Sequence, residues 1–167
     1  YEEGRFRSST ETPAEVSVLC DNDLEKRIRI RGAIASHPFT ETITLRKGDR
    51  KIDFDLRIDW KHNVGIGEFA QKDAFNKNRR YKLNVYFPVA LDAPELYKDA
   101  PFDVCKSRLK DTRFSTWDNI KHDILLHWAD LAERDGGYGL ALLTDHTTSY
   151  IYGGGSPLGL TVQYSGG

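Results

Sequence analysis

The chain has no methionine, only two cysteines and no Asn-x-Ser/Thr sequon. Lacking Met even at its first position, it reads as a processed or excised piece of a larger protein rather than a complete translation product. Cys20 and Cys105 are too few for a disulfide framework, and their separation in sequence leaves both their pairing and the redox compartment open. Without a sequon there is no signal for surface glycosylation. Charge of one sign is also lacking. Lys and Arg number 24 against 25 Asp and Glu, which removes the general electrostatic reason to expect a nucleic acid or an anionic membrane as partner. No apolar run approaches the roughly 20 residues of a membrane span. The first residues, YEEGRFRSST, have neither the charged start nor the apolar middle of a signal peptide.

Motifs of chemistry are equally scarce. Gly65, Gly67 and Ala70 outline a dinucleotide-binding turn, but no amphipathic helix or βαβ unit follows, so the match reads as coincidence. The Gly153 to Gly155 cluster continues into Ser156 and Pro157 and not into the Lys of a phosphate loop, and there is no G-x-S-x-G elbow. His37, His62, His122, His127 and His146 lack zinc-ligand spacing, so no metal site is expected within the chain.

What the sequence does contain is alternation. In Lys51 to Trp60, KIDFDLRIDW, the residues Ile52, Phe54, Leu56, Ile58 and Trp60 are apolar at every second position, with Asp53, Asp55, Arg57 and Asp59 between them. That is a β-strand with one wetted face, spanning roughly 30 Å at about 3.3 Å per residue, and it reads as a central scaffold strand. Phe39 to Arg46 precedes it through Lys47, Gly48 and Asp49, so residues 39 to 60 are expected to form a hairpin. Upstream, residues 1 to 13 read as an extended or poorly ordered lead-in, followed by strands at Ala14 to Cys20 and Leu24 to Arg31. Arg27, Arg29 and Arg31 form a basic stripe that is expected to pair with the face carrying Asp53, Asp55 and Asp59.

Downstream, residues 61 to 80 read as a long loop, Tyr81 to Val89 as a strand, and the stretch punctuated by Pro94 and Pro101 as a polar connection. From Ile120 the run IKHDILLHWADLA fits either a helix or a strand, which periodicity does not decide. YGLALLTD suits a strand covered on both faces, His146 to Pro157 a Tyr- and Gly-rich loop, and Leu158 to Tyr164 a closing strand. The expectation is a single all-β domain over residues 1–167, an antiparallel β-sandwich with long loops and little helix.

Two places could carry chemistry. Asp53 and Asp55 share one strand face, and a retaining glycosidase needs two carboxyls about 5–5.5 Å apart, but the polar face of an amphipathic strand accounts for them. Asp145 and His146 are the better candidates, because they leave an apolar strand and enter a loop with Thr147, Thr148, Ser149, Tyr150 and Tyr152. Strand-end loops present polar and aromatic groups to ligands, and hydroxyls beside aromatic faces suit sugars. Asp145, His146, Tyr150 and Tyr152 are therefore the expected substrate-binding residues.

The order of blocks adds a resemblance. Ser115–Thr116–Trp117–Asp118, Trp128–Ala129–Asp130–Leu131 and the Gly136 to Asp145 run, GGYGLALLTD, follow the long strand in an order that resembles the C-terminal β region of the family 38 α-mannosidases, over about residues 40 to 165. Family members typically end the last run in Asn-Asp where this chain has Thr144 and Asp145, and the loop beyond it departs from a Cys-Lys-Tyr-Gly pattern. The resemblance implies a supersandwich of the galactose-mutarotase type. It also implies a parent enzyme that releases terminal α-mannose from oligosaccharides with retention, using a carboxylate nucleophile and a zinc ion in an N-terminal catalytic domain. The family's His-x-Asp zinc motif and nucleophile segment have no match here, so the chain alone is expected to hold no catalytic residue, bind no zinc and be inactive. Its expected partners are that catalytic domain and a mannose-containing oligosaccharide. The alternative is a free-standing carbohydrate-binding module using loops 61–80 and 145–155, with Tyr150 and Tyr152 as stacking platforms.

Overall fold

The computed structural model describes residues 6–62, 82–106, 121–153 and 156–164. They form twelve strands in three antiparallel four-stranded sheets. The chain divides into two compact units, residues 1–81 and 82–167.

The first unit holds β1 (Glu15–Asp21), β2 (Glu25–Ile34), β3 (His37–Arg46) and β4 (Ile52–Ile58), paired in chain order. The expected hairpin is present, with Leu45 opposite Ile52 and Phe39 opposite Ile58. Because Cα partners share a face, register aligns Val18, Ile28, Ile43 and Phe54 in one cross-strand row, and Val16, Ile30, Glu41 and Leu56 in the next. Glu41 is thus a carboxylate on an apolar face, and burial pushes its pKa upward. Among the described residues β4 lies at the edge of its sheet, not at the centre as expected, and Ile52 and Phe54 stay 50% and 47% exposed.

The opposite face corrects the expected ion pairing. Arg27 and Arg29 do share it with Asp53 and Asp55, but Thr44 and Thr42 on β3 stand between them. Two strand spacings amount to about 9.6 Å. The pairs formed are local: Asp53 with Arg46 and with Lys51 at 2.9 Å, Arg57 with Asp55 at 3.4 Å, Arg27 with Glu25 at 2.6 Å. Exposed pairs of this kind add about 0–1 kcal/mol each. Part of the lead-in is ordered as well. Ser9–Glu11 forms a 3-10 turn in which Ser8 Oγ accepts the Thr10 N–H and the Glu11 carboxylate accepts the Ser8 N–H. At the same end of the sheet His37, opposite Ile34, is buried, with its Nδ1 accepting the Lys61 N–H at 3.2 Å and its ring 4.9 Å from that of Trp60 and 4.6 Å from that of His62.

The second unit is a β-sandwich. One sheet runs β10 (Gly139–Leu143), β9 (Trp128–Glu133), β6 (Pro94–Ala100), β7 (Asp103–Lys106). The other runs β5 (Lys82–Phe87), β12 (Ser156–Tyr164), β11 (Thr148–Gly153), β8 (Lys121–Leu125). Leu96, Ala129, Leu131 and Leu142 from the first meet Leu125, Tyr150 and Leu158 from the second in one core. Each such aliphatic side chain contributes on the order of 1.5–3 kcal/mol by leaving water. On the outer face of the second sheet Tyr86 lies over Gly159, where a Cβ on residue 159 would sit 2.8 Å from the Tyr86 ring and 3.1 Å from the Ile151 side chain.

Three sequence readings are overturned here. The stretch between Pro94 and Pro101 is not a connection but β6, an inner strand of its sheet. Residues 148–153 are strand β11 and not loop. The run after Ile120, which periodicity left open between helix and strand, is β8, a turn and β9. β10 is covered on one face only, since Leu142 is buried but Leu143 is 67% exposed.

Candidate functional site

Strand β6 organises one end of the sandwich. Leu96 and Lys98 face inward, where Lys98 Nζ donates to the Ile124 carbonyl at 3.0 Å and lies over the Tyr150 ring. By alternation Glu95, Tyr97 and Asp99 face the other way. Glu95 gathers Lys106 at 2.7 Å, Arg134 at 3.1 Å and the Tyr97 hydroxyl at 2.9 Å, and these hold its carboxyl below the usual range.

Asp99 does something different. Its carboxylate accepts the backbone N–H of His127 at 2.8 Å, of Leu126 at 3.2 Å and of Trp128 at 3.4 Å, and lies 3.0 Å from His127 Nδ1. It therefore pins the two-residue turn between β8 and β9 to the end of β6. Burial, the largest single influence, pushes the Asp99 pKa up, but the His127 hydrogen bond and the three backbone N–H groups together hold it below the ordinary value.

The connection from β10 to β11 is tied to the same turn. Thr144 donates its N–H to the His127 carbonyl at 2.7 Å, and its hydroxyl donates to the His146 carbonyl at 2.8 Å. This fixes Asp145 and His146, whose side chains are 96% and 67% exposed, beside His127. His146 Nδ1 sits 2.5 Å from Asp145 Oδ1, and that hydrogen bond, followed by the imidazole's charge, keeps the Asp145 carboxyl below its ordinary pKa. An ionised carboxylate only accepts, so in each His–Asp pair Nδ1 is the donor. The hairpin joining β6 and β7 closes at this end too, with Ala100 opposite Asp103 and Pro101 and Phe102 between them. Three turns thus bring Asp145, His146, Thr144, His127 and Phe102 to one end of a rigid sandwich, a combination of hydrogen-bonding and aromatic groups that suits a hydroxyl-rich ligand.

Of the expected binding residues, the structure brings Asp145 and His146 together in this exposed connection. Tyr150 is corrected: it is fully buried in the core, so neither ring face is open for stacking, and replacing it tests folding rather than binding. Tyr152 packs half-buried against the same core, and burial pushes its hydroxyl pKa up. Asp53 is bound to Arg46 and Lys51, which lower its pKa through their hydrogen bonds, as befits a surface ion pair rather than a nucleophile. The expected loop over 61–80 and the Ser115–Asp118 block lie, save for Lys61 and His62, outside the described residues. Sequence reasoning missed Asp99, His127 and Phe102. The signal available for Phe102 was Pro101, a turn former directly before an aromatic.

Comparison with protein families gives one match: the model of the glycosyl hydrolases family 38 C-terminal domain covers residues 1–162. Neither the curated proteins nor the solved structures contain a match to the chain.

Proposed function

The chain belongs to the C-terminal domains of family 38 glycosyl hydrolases, and from that premise we propose that it serves a retaining, zinc-dependent α-mannosidase as the β-domain that supports the sugar pocket. Membership implies a catalytic domain in the same chain. In this reading the nucleophile and the zinc ion belong to that domain, where a bound zinc would supply Lewis-acid chemistry. Among the described residues here, no three His, Cys, Asp or Glu side chains are grouped to hold a metal ion.

The observation that carries the pocket-supporting role is the turn cluster built on Asp99. It places an ionised Asp145 and two imidazoles on exposed turns whose positions are fixed by hydrogen bonds to the Asp99 carboxylate and the His127 carbonyl. A carboxylate and ring nitrogens on a preorganised support recognise vicinal hydroxyls at low ordering cost. Their role is to bind and orient the terminal mannose of an oligosaccharide, leaving bond cleavage to the catalytic domain.

Steady-state kinetics of the full-length enzyme test this. Asp145→Ala and His146→Ala are expected to raise KM for a mannose oligosaccharide about tenfold while leaving kcat near wild type, the signature of lost ground-state binding. Turnover by the full-length enzyme should cease on zinc removal, whereas the 167-residue chain should release no mannose at all. Mannose release by that chain after chelation would overturn the assignment.

A further inference from the structure

Phe102 has two properties that the fold does not use. It is fully exposed, so its ring adds nothing to the core. Its backbone lies in the left-handed region at φ 65°, where a side-chain-bearing residue is sterically strained and a bulky one is an outlier. Pro101 before it has its φ fixed near −65° by its own ring. Pro followed by a positive-φ residue, inside the Ala100–Asp103 closing pair, matches a type II turn, whose second central position favours glycine or asparagine. The sequence therefore places an aromatic where the backbone asks for glycine, and holds it out into solvent.

What surrounds that tip decides what the ring is for. Asp99, one residue before the turn residue Ala100, holds the His127 turn, and Thr144 ties the Asp145–His146 pair to that same turn. An apolar ring at the same edge of the sheet as a carboxylate, two imidazoles and a threonine hydroxyl offers the two kinds of group that match what a carbohydrate presents, C–H faces and hydroxyls. A protein partner seated on Phe102 would have to desolvate these same charged groups, which is costly without matched partners. We propose that Phe102 is a sugar-stacking residue, holding a pyranose ring of the oligosaccharide against the turn cluster. This rests on the pocket-supporting reading of Asp145 and His146 and adds the apolar contact that reading lacks.

The test uses the full-length enzyme and a mannose oligosaccharide. Phe102→Gly removes the ring and relieves the backbone, so the melting midpoint should be unchanged or higher while KM rises about tenfold at constant kcat. Phe102→Trp should keep KM near wild type, because any aromatic face stacks. If Phe102→Gly leaves KM unchanged while Asp145→Ala raises it, the stacking role falls and the polar site stands. If neither changes KM, the pocket-supporting reading falls with it. Loss of the enzyme's own domain association on Phe102→Gly, with KM unaltered, would make the residue a protein contact and likewise overturn the proposal.

Discussion

Replacing Asp99, a strand residue, with alanine should loosen the turn it holds at one end of the sandwich. The carboxylate side chain is 11% exposed and accepts two well-formed backbone hydrogen bonds, from His127 at 2.8 Å and Leu126 at 3.2 Å. Hydrogen bonds to a charged acceptor contribute about 1.5–3 kcal/mol each. The Trp128 contact at 3.4 Å is long, and the His127 ring is 73% exposed, so both add little. Turn amides released by the substitution regain water in part, which leaves a net loss of about 2–3 kcal/mol. Amide hydrogen exchange read residue by residue is the assay, since the unit need not unfold globally. At 1.36 kcal/mol per tenfold, exchange at Leu126 and His127 should accelerate roughly 30- to 150-fold. The pH dependence has a definite sign. Because the folded-state pKa lies below the unfolded value of about 3.9, the stabilisation is complete above that value and is lost as pH falls through the folded pKa. The alanine variant should lack that acid limb. Acceleration below about threefold at neutral pH would refute the claim that Asp99 holds the turn, because the bonds would then contribute under about 1 kcal/mol.

Two further outcomes follow from other places in the fold. Gly139→Ala should destabilise the β9–β10 pair by about 1–3 kcal/mol or more, since overpacking has no flexible neighbour to yield. The new Cβ would lie 2.4 Å from the Leu131 carbonyl and 2.6 Å from the Ala132 Cα, and an unchanged melting midpoint would contradict that geometry. Glu41 should behave oppositely to Asp99 in acid. Its folded pKa is raised by burial on the apolar face of the first sheet, so that sheet gains stability as pH falls from 7 through the folded pKa, and Glu41→Gln should flatten the gain in a urea titration. A variant that keeps the wild-type pH slope would show that Glu41 is not its source.

The sequence by itself determined the strands whose two faces differ in polarity. Ile52, Phe54, Leu56 and Ile58 alternate with charged residues, which aligns them with the apolar side chains of β3 and β2 on one face, and a period of two records that directly. The same pattern, with the short Lys47–Gly48–Asp49 connection, made the hairpin legible, and the structure gives its register. Ordered blocks carried the family resemblance, which the family match over residues 1–162 bears out. Asp145 and His146 were legible as candidates because they end an apolar run.

Tertiary structure decided the rest, for reasons that one-dimensional patterning does not hold. β6 shows no alternation because the inward position beside Leu96 is filled by Lys98, whose ammonium finds the Ile124 carbonyl and the Tyr150 ring across the sandwich. Tyr150 looks like a loop residue beside Thr148 and Ser149, yet pairing with both β8 and β12 puts its ring in the core. The candidate site depends on Asp99 reaching residues 126–128 and on Thr144 reaching His127, contacts that join separate turns. Such contacts arise only when strands far apart in sequence end at the same edge, so composition and spacing could propose Asp145 and His146 but not the Asp99 that holds the neighbouring turn or the Phe102 at the same edge of the sheet.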